Sequence, residues 1–246
     1  MDQSGTRRIL SIDTGAGTLR ANGREFPLYG KEAFDLLTRE WLVLAWQQEI
    51  WTRFRWLGRQ ILQLPADILR LAEYIERVAP DVIIETGVYD GGSALLFASV
   101  CRMTGRGRVI SIERELRAGV HEALEAAGVT VLEADSAAPA TAALVRDLVR
   151  PHESVFVFLD SDHTHEHVRA ELANYAPLVT TGSCLVVADT ILPDLADAPC
   201  GDPSWIEDNP AAAVRDFLNA NPGWEVEPVT LTYFPGGWLR RSAKNV

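Results

Sequence analysis

Residues 155–167 read VFVFLDSDHTHEH: five apolar residues run into Asp160 and Asp162, and His163, His165 and His167 follow at alternate positions. A strand that only packs can end in a Gly or Asn turn. Acids and imidazoles at its exit point instead to chemistry: carboxylates hold hard cations and imidazoles move protons near neutral pH. His163 is the candidate general base, since its unperturbed pKa lies near neutrality and the neighbouring Asp162 can shift it. Capping the following helix, or hydrogen bonding to the Asp160 loop, is the alternative for this side chain. His165 and His167 read as surface groups or as supports behind the reacting ones. His163 and His167 are four apart and can share a helix face, but with no cysteine or further histidine nearby a zinc site is not indicated.

The elements that must carry these groups are legible as a rhythm. VIIETG (82–87), RVISIE (108–113), VTVLEAD (129–135), VFVFLD (155–160) and CLVVAD (184–189) are short apolar runs, each with an acid at or near its end. Helical stretches lie between them: Ser93 to Met103, Arg117 to Ala127, Thr141 to Leu148 and Glu166 to Ala176. Strands apolar on both faces, alternating with helices, predict a parallel sheet covered on both sides. Ligands of such sheets bind beyond the carboxyl ends of the strands, where all five acids fall. After a helix near Ala211 to Ala220, VEPVTLTYF and WLRR flank Pro235-Gly236-Gly237 and predict a closing antiparallel hairpin.

Upstream, the alternation and Gly-rich turns from Arg7 to Tyr29 predict a small hairpin. Lys31 to Leu62 is helical in composition and carries Trp41, Trp46, Trp51 and Trp56 at intervals of five. Five residues advance a helix by about 140°, so these rings cannot share one face. Some are expected to reach a partner subunit or a substrate cleft, with core packing as the alternative reading. Pro65 opens a further helix running towards Pro80. The expected division is an extension over 1–64, for oligomer contacts or a substrate lid, and a catalytic domain over 65–246.

With 246 residues, 47% of them hydrophobic and 23% charged, the chain suits one α/β domain with additions. A net charge of -11 with thinly spread Lys and Arg disfavours nucleic acid and anionic membrane surfaces, and suits a small neutral or metal-bridged substrate. Three cysteines, Cys101, Cys184 and Cys200, without CxxC spacing, indicate neither a disulfide framework nor a zinc ribbon. They fit a reduced, cytoplasmic protein. No visible export signal precedes the first element, and no apolar run approaches the length of a membrane span.

The loop after the first core strand, Glu85-Thr86-Gly87-Val88-Tyr89-Asp90-Gly91-Gly92-Ser93, discriminates between cofactors. A dinucleotide fingerprint needs glycine where Tyr89 stands, so that the backbone can approach a pyrophosphate, and no P-loop lysine follows. The pattern E-x-G-x-x-x-G-x-S, with Glu113 ending the next strand, resembles the S-adenosylmethionine site of class I methyltransferases. In that resemblance Glu85, Gly87 and Ser93 lie near the amino-acid part of the donor, and Thr86, Tyr89, Asp90, Gly91, Asp160 and Asp162 also belong to the cofactor site. Glu113 accepts hydrogen bonds from the two ribose hydroxyls, and Asp135 and Ser136 border the adenine. The alternative is a plain tight turn with Glu113 as a solvated strand end.

Further motifs extend the likeness from about Trp56 to Arg241: Trp56-Leu57-Gly58 with Gln63-Leu64-Pro65, IIETG followed by GGSALLFAS, LDSDHTHEHV, YAPLV, SCLVVADT, and F-L-x-x-N-P with PGGWLRR. They resemble the cephalosporin hydroxylase and rhamnosyl O-methyltransferase family. The resemblance implies a Rossmann-like class I methyltransferase fold, a mostly parallel seven-stranded sheet with an antiparallel C-terminal strand. It also implies S-adenosylmethionine as donor, a divalent metal such as Mg2+, O-methylation of a sugar or related natural-product hydroxyl, and homo-oligomers joined through N-terminal segments. Asp160 and Asp189 match two of the family's three carboxylate ligands, while Ala188 stands where members commonly carry the third. Two carboxylates meet the modest demand of Mg2+, which keeps several waters. The expected acceptor is rhamnose or a related 6-deoxysugar, free as a nucleotide sugar or already attached. A cephem or catechol-type hydroxyl is the alternative acceptor, and the alanine at 188 motivates a further one, a non-catalytic binding subunit. Tyr89 and the C-terminal residues Tyr233 and Trp238 are expected to keep the transfer pocket dry, with core packing as the alternative.

Overall fold

The computed structural model describes residues 9–242. The N-terminal region is a three-stranded antiparallel sheet, β1 (Leu10–Asp13), β2 (Thr18–Ala21) and β3 (Arg24–Pro27), where a hairpin was expected; Arg7 and Arg8 lie outside the described residues. Helix α1 (Lys31–Gln47) follows, and here the expectation of helix to Leu62 fails. Glu49 adopts a left-handed φ of 51°, which breaks the i to i−4 ladder, and a single 3-10 turn spans Ile50–Thr52. Strands β4 (Phe54–Trp56) and β5 (Arg59–Ile61) then pair antiparallel around Leu57 and Gly58. Trp51 and Trp56 are therefore off the helix. Reversal at Glu49 folds Trp51 back onto Trp46, with ring centroids 5.1 Å apart and stacked.

Helix α2 (Pro65–Val78) leads into the alternating core: β6 (Val82–Thr86), α3 (Gly92–Thr104), β7 (Arg108–Glu113), α4 (Val120–Ala126), β8 (Thr130–Glu133), α5 (Pro139–Leu148), β9 (Val155–Leu159), α6 (His165–Tyr175) and β10 (Cys184–Val187). A short helix α7 (Leu192–Leu195), α8 (Pro210–Ala220), β11 (Trp224–Val226) and β12 (Trp238–Arg241) complete it. The seven strands lie in the order β11-β12-β10-β9-β6-β7-β8. The five from β6 to β10 are mutually parallel, and β12 runs antiparallel to both β10 and β11.

Period-two alternation explains why the central strands read as unbroken apolar runs. Phe156 and Phe158 of β9 enter a core shared with Leu71, Ile75 and Phe97 from α2 and α3, while Val155, Val157 and Leu159 face Val168, Leu172 and Val214 from α6 and α8. Each such buried side chain stabilises the fold by about 1.5–3 kcal/mol. Phe97 meets Phe158 edge to face with centroids 5.5 Å apart, fixing α3 over the middle of the sheet.

The C-terminal antiparallel pair forms, but its first strand is Trp224–Val226, and residues 227–237 leave the sheet. Asp67 of α2, fully buried, explains the excursion: it accepts hydrogen bonds from the Thr232 hydroxyl and, at 3.0 Å, from the Tyr233 N–H. Burial pushes its carboxyl up to about 7. Strand order reverses between β6 and β9, whose neighbours β7 and β10 lie on opposite sides, and a crevice opens there beyond the carboxyl ends.

Candidate active site

A cavity of about 520 Å³ occupies that crevice. Of the residues singled out from sequence, Gly87, Tyr89, Ser93, Glu113, Asp135, Ser136, Asp160, Asp162, His163 and Asp189 line it. Glu85, Thr86, Asp90 and Gly91 do not. Glu85 is fully buried behind the loop, where it accepts a 2.6 Å hydrogen bond from the Ser111 hydroxyl and is pushed up to about 7 by burial. Thr86 is buried too, and its carbonyl accepts the Asp160 N–H at 3.0 Å. Asp90 turns away to clamp the β4–β5 hairpin, accepting from the Gln60 N–H at 2.7 Å and from Arg59 at 3.1 Å.

Gly87 sets the spacing of the floor. Its φ is +80°, and a Cβ there would lie 2.5 Å from the carbonyl carbon of Asp160 and 2.7 Å from Cα of Ser161. The loops leaving β6 and β9 therefore pack backbone to backbone, which only glycine permits. Glu113 locks the same loop from the other side: Oε2 accepts the N–H groups of Val88 (2.8 Å) and Tyr89 (2.9 Å), and Oε1 accepts that of Arg114 at 2.9 Å. Oε1 also accepts the Glu115 N–H at 3.4 Å, a long bond that a ligand hydroxyl would displace. Tyr89, at φ 51°, lies under the Arg117 guanidinium, 3.5 Å from the ring centroid.

At the far side of the floor, Asp135 accepts the Ala137 N–H at 2.9 Å, and the Ser136 hydroxyl lies 3.2 Å from Nε2 of His167. His167 was not expected to line the cavity. Because α6 begins at His165, His167 points inward, 3.1 Å from the Ser161 hydroxyl and 3.5 Å from the buried Glu171, whose hydrogen bond raises the imidazole pKa. His165 faces the other way, pairing with Asp216 of α8 at 2.9 Å.

Asp160, His163 and Asp189 meet at the centre, with one ligand atom from each within 4.8 Å of the others. Nε2 of His163 is 3.4 Å from Asp189, and Gln63 donates to Asp160 at 2.8 Å. Burial, then the charges of Asp189 and Glu85, hold the Asp160 carboxyl well above the ordinary carboxylate range. Asp189 is raised by burial, an effect that His163 opposes. Carboxylates that resist ionisation side by side are a site in want of a cation, and two oxygens with one imidazole nitrogen form an acceptable donor set for a divalent ion. Ala188 is buried in the core and offers no donor atom, and His163 is the third potential ligand in the cluster. Asp162 accepts the Thr164 N–H at 3.0 Å at the start of α6.

The remaining wall is aromatic. Trp46, Trp51, Trp205 and Tyr233 line the cavity together with Leu62 and Leu192. Trp205 and Tyr233 both meet Trp46 edge on, at 6.0 and 5.4 Å. Trp238, expected to help keep the pocket dry, does not line it and follows the alternative reading, a core residue packed on Tyr74 at 4.9 Å. Gln63 entered the sequence reading only through the Gln63-Leu64-Pro65 motif, with no role attached, and Trp205 carried no signal that tied it to the site.

A mostly parallel sheet with this strand order, one antiparallel terminal pair and a cavity at the switch point define the class I methyltransferase fold. Over residues 48–242 the chain belongs to the rhamnosyl O-methyltransferase/CmcI family. A rhamnosyl O-methyltransferase of Mycobacterium leprae is 32% identical over 164 residues, which are 64% of this chain and 69% of that relative. A structure of CmcI with Mg and SAM is similar at a TM-score of 0.56 and 20% identity, over 78% of each chain. CalS11, a TDP-rhamnose 3'-O-methyltransferase of calicheamicin biosynthesis, is similar at a TM-score of 0.51 and 19% identity, over 72% of this chain and 79% of its own. The protein is an S-adenosylmethionine-dependent O-methyltransferase. Among the described residues no helix is long and apolar enough to cross a membrane.

Proposed function

We propose that the chain methylates a sugar hydroxyl, that of rhamnose or a related 6-deoxysugar, in natural-product biosynthesis. One observation carries this reading: the Asp160–His163–Asp189 cluster faces an aromatic wall across a single cavity that also contains Glu113. The names of the rhamnosyl relatives support the choice of acceptor.

Glu113 would accept a ribose hydroxyl of the donor, Asp135 and Ser136 would border its adenine, and Gly87 and Ser93 would flank its amino-acid tail, with Glu85 supporting that loop from behind. The donor, when bound, supplies a methyl group on a positively charged sulfur. Asp160, Asp189 and His163 would hold a divalent ion, which would lower the pKa of an acceptor hydroxyl. In a subunit without the ion, His163 takes the acceptor proton, and Asp189 at 3.4 Å stabilises the imidazolium that forms. Charge disappears during the transfer, so alignment and exclusion of water are the protein's main contributions, and Tyr89, Tyr233 and the tryptophans provide them.

Two finer readings accompany this one. Phe34, Trp41 and Leu44 are exposed along one side of α1, and we infer that a second copy covers them. The three cysteines are free, which accords with a reducing cytoplasm. Transfer of labelled methyl to a panel of rhamnosides, catechols and cephems, with and without chelator, tests the central proposal. Product on a rhamnoside is expected; product on a catechol or cephem alone would overturn it.

A further inference from the structure

The cavity has two chemically different ends. Its acids, Glu113, Asp135, Asp160, Asp162 and Asp189, lie on the floor, and Arg114 beside Glu113 is the one lysine or arginine among the described lining residues. The opposite end, built by Trp46, Trp51, Trp205, Tyr233, Leu62 and Leu192, carries no cationic side chain. Basic residues on the segments that form this wall are already engaged. Arg39 of α1 pairs with Asp194 of α7 at 2.7 Å, and Arg53 donates to the Gln48 carbonyl at 2.8 Å.

Stacked indoles without a neighbouring cation are a platform for the C–H face of an uncharged pyranose. A diphosphate placed there would lose its water with no guanidinium or ammonium to replace it, in a cavity already crowded with carboxylates. Resting on the sugar reading above, we infer that the acceptor is a sugar already attached to a neutral aglycone, lying on Trp46 and Trp51, and not a nucleoside diphosphate sugar. The aglycone leaves past Trp205 and the exposed Ile206 at the rim. The reaction that supplies this substrate is then a glycosyl transfer, and methylation follows it. The methyl–sulfur bond breaks as the methyl–oxygen bond forms, and the acceptor O–H bond breaks with its proton passing to His163.

The probes are p-nitrophenyl α-L-rhamnopyranoside, dTDP-rhamnose and dTDP, used with the full chain. Labelled methyl transfer is expected with kcat/KM at least tenfold higher for the glycoside, and millimolar dTDP is expected not to inhibit it. Tryptophan fluorescence of the protein saturated with S-adenosylhomocysteine should change on adding the glycoside but not on adding dTDP. Trp51→Ala should raise KM for the glycoside about tenfold, more than it lowers kcat, the mark of lost ground-state stacking. A preference below tenfold, or competition by dTDP against the glycoside, would overturn the inference, and both are read on the unmodified protein. Transfer to neither sugar, with S-adenosylhomocysteine still bound, would instead sink the sugar reading on which it rests.

Discussion

Replacing Gly87 by alanine is the sharpest test of how the site is held. The new Cβ would sit 2.5 Å from the Asp160 carbonyl carbon and 2.7 Å from Ser161 Cα, so the two loops must separate by about 1 Å to restore ordinary carbon–carbon contact. A left-handed backbone at a residue with a side chain costs about 1–2 kcal/mol, and forcing a packed contact apart about 1–3 kcal/mol. Together these predict a loss of about 2–5 kcal/mol, or roughly 4–20 °C in Tm for a chain of this size. The retreat carries Asp160 away from Asp189 and Gln63, and a misplacement of about 1 Å costs on the order of a hundredfold in kcat/KM. Gly105→Ala is the control: φ there is +70°, yet nothing lies within 4 Å of an added Cβ. Thermal unfolding and labelled methyl transfer on both variants separate the contact from the backbone conformation. If Gly87→Ala melts with Gly105→Ala and keeps kcat/KM within threefold, the two loops do not pack as described.

His163→Ala should lower kcat by about 10²- to 10⁴-fold while S-adenosylhomocysteine binds as before, measured by single turnover and calorimetry; an unchanged kcat refutes the proton-acceptor role. Asp67, at about 7 in the fold against an ordinary 3.8, binds more protons folded than unfolded across that interval. Its contribution to stability is therefore present at pH 4 and declines towards pH 7, by up to about 4 kcal/mol. Urea unfolding at pH 5 and 8 should show a smaller decline for Asp67→Asn than for the natural chain, and equal declines would remove Asp67 from the account. Glutamates at both Trp41 and Leu44 should convert the protein to a monomer in analytical ultracentrifugation, and an unchanged mass would show that this side of α1 is not the interface.

The five parallel strands were legible because burial on both faces forces unbroken apolar runs, and their terminal acids had to share one rim. Glu113, Asp160 and Asp189 therefore met where the strand pattern put them. Features decided by packing at long range were not legible. Trp51 lies off α1 because it stacks on Trp46, a preference that outweighs the helical composition of 48–62. Residues 227–237 alternate like a strand yet leave the sheet, because Asp67, far away in sequence, binds Thr232 and Tyr233. His167 turned inward because α6 starts at His165, and helix starts are uncertain by more than the one residue that decides a face. Asp90 resembles a ligand residue by position, but its carboxylate holds Gln60 and Arg59.

Trp46, Trp51 and Gln63 precede the first strand of the parallel sheet, while Trp205 and Tyr233 follow the last, so the wall facing the acids is assembled from opposite ends of the chain. The strands and loops between them carry Glu113, Asp135 and Asp160. Mutations in either flank can thus retune which alcohol is admitted while the middle stays untouched.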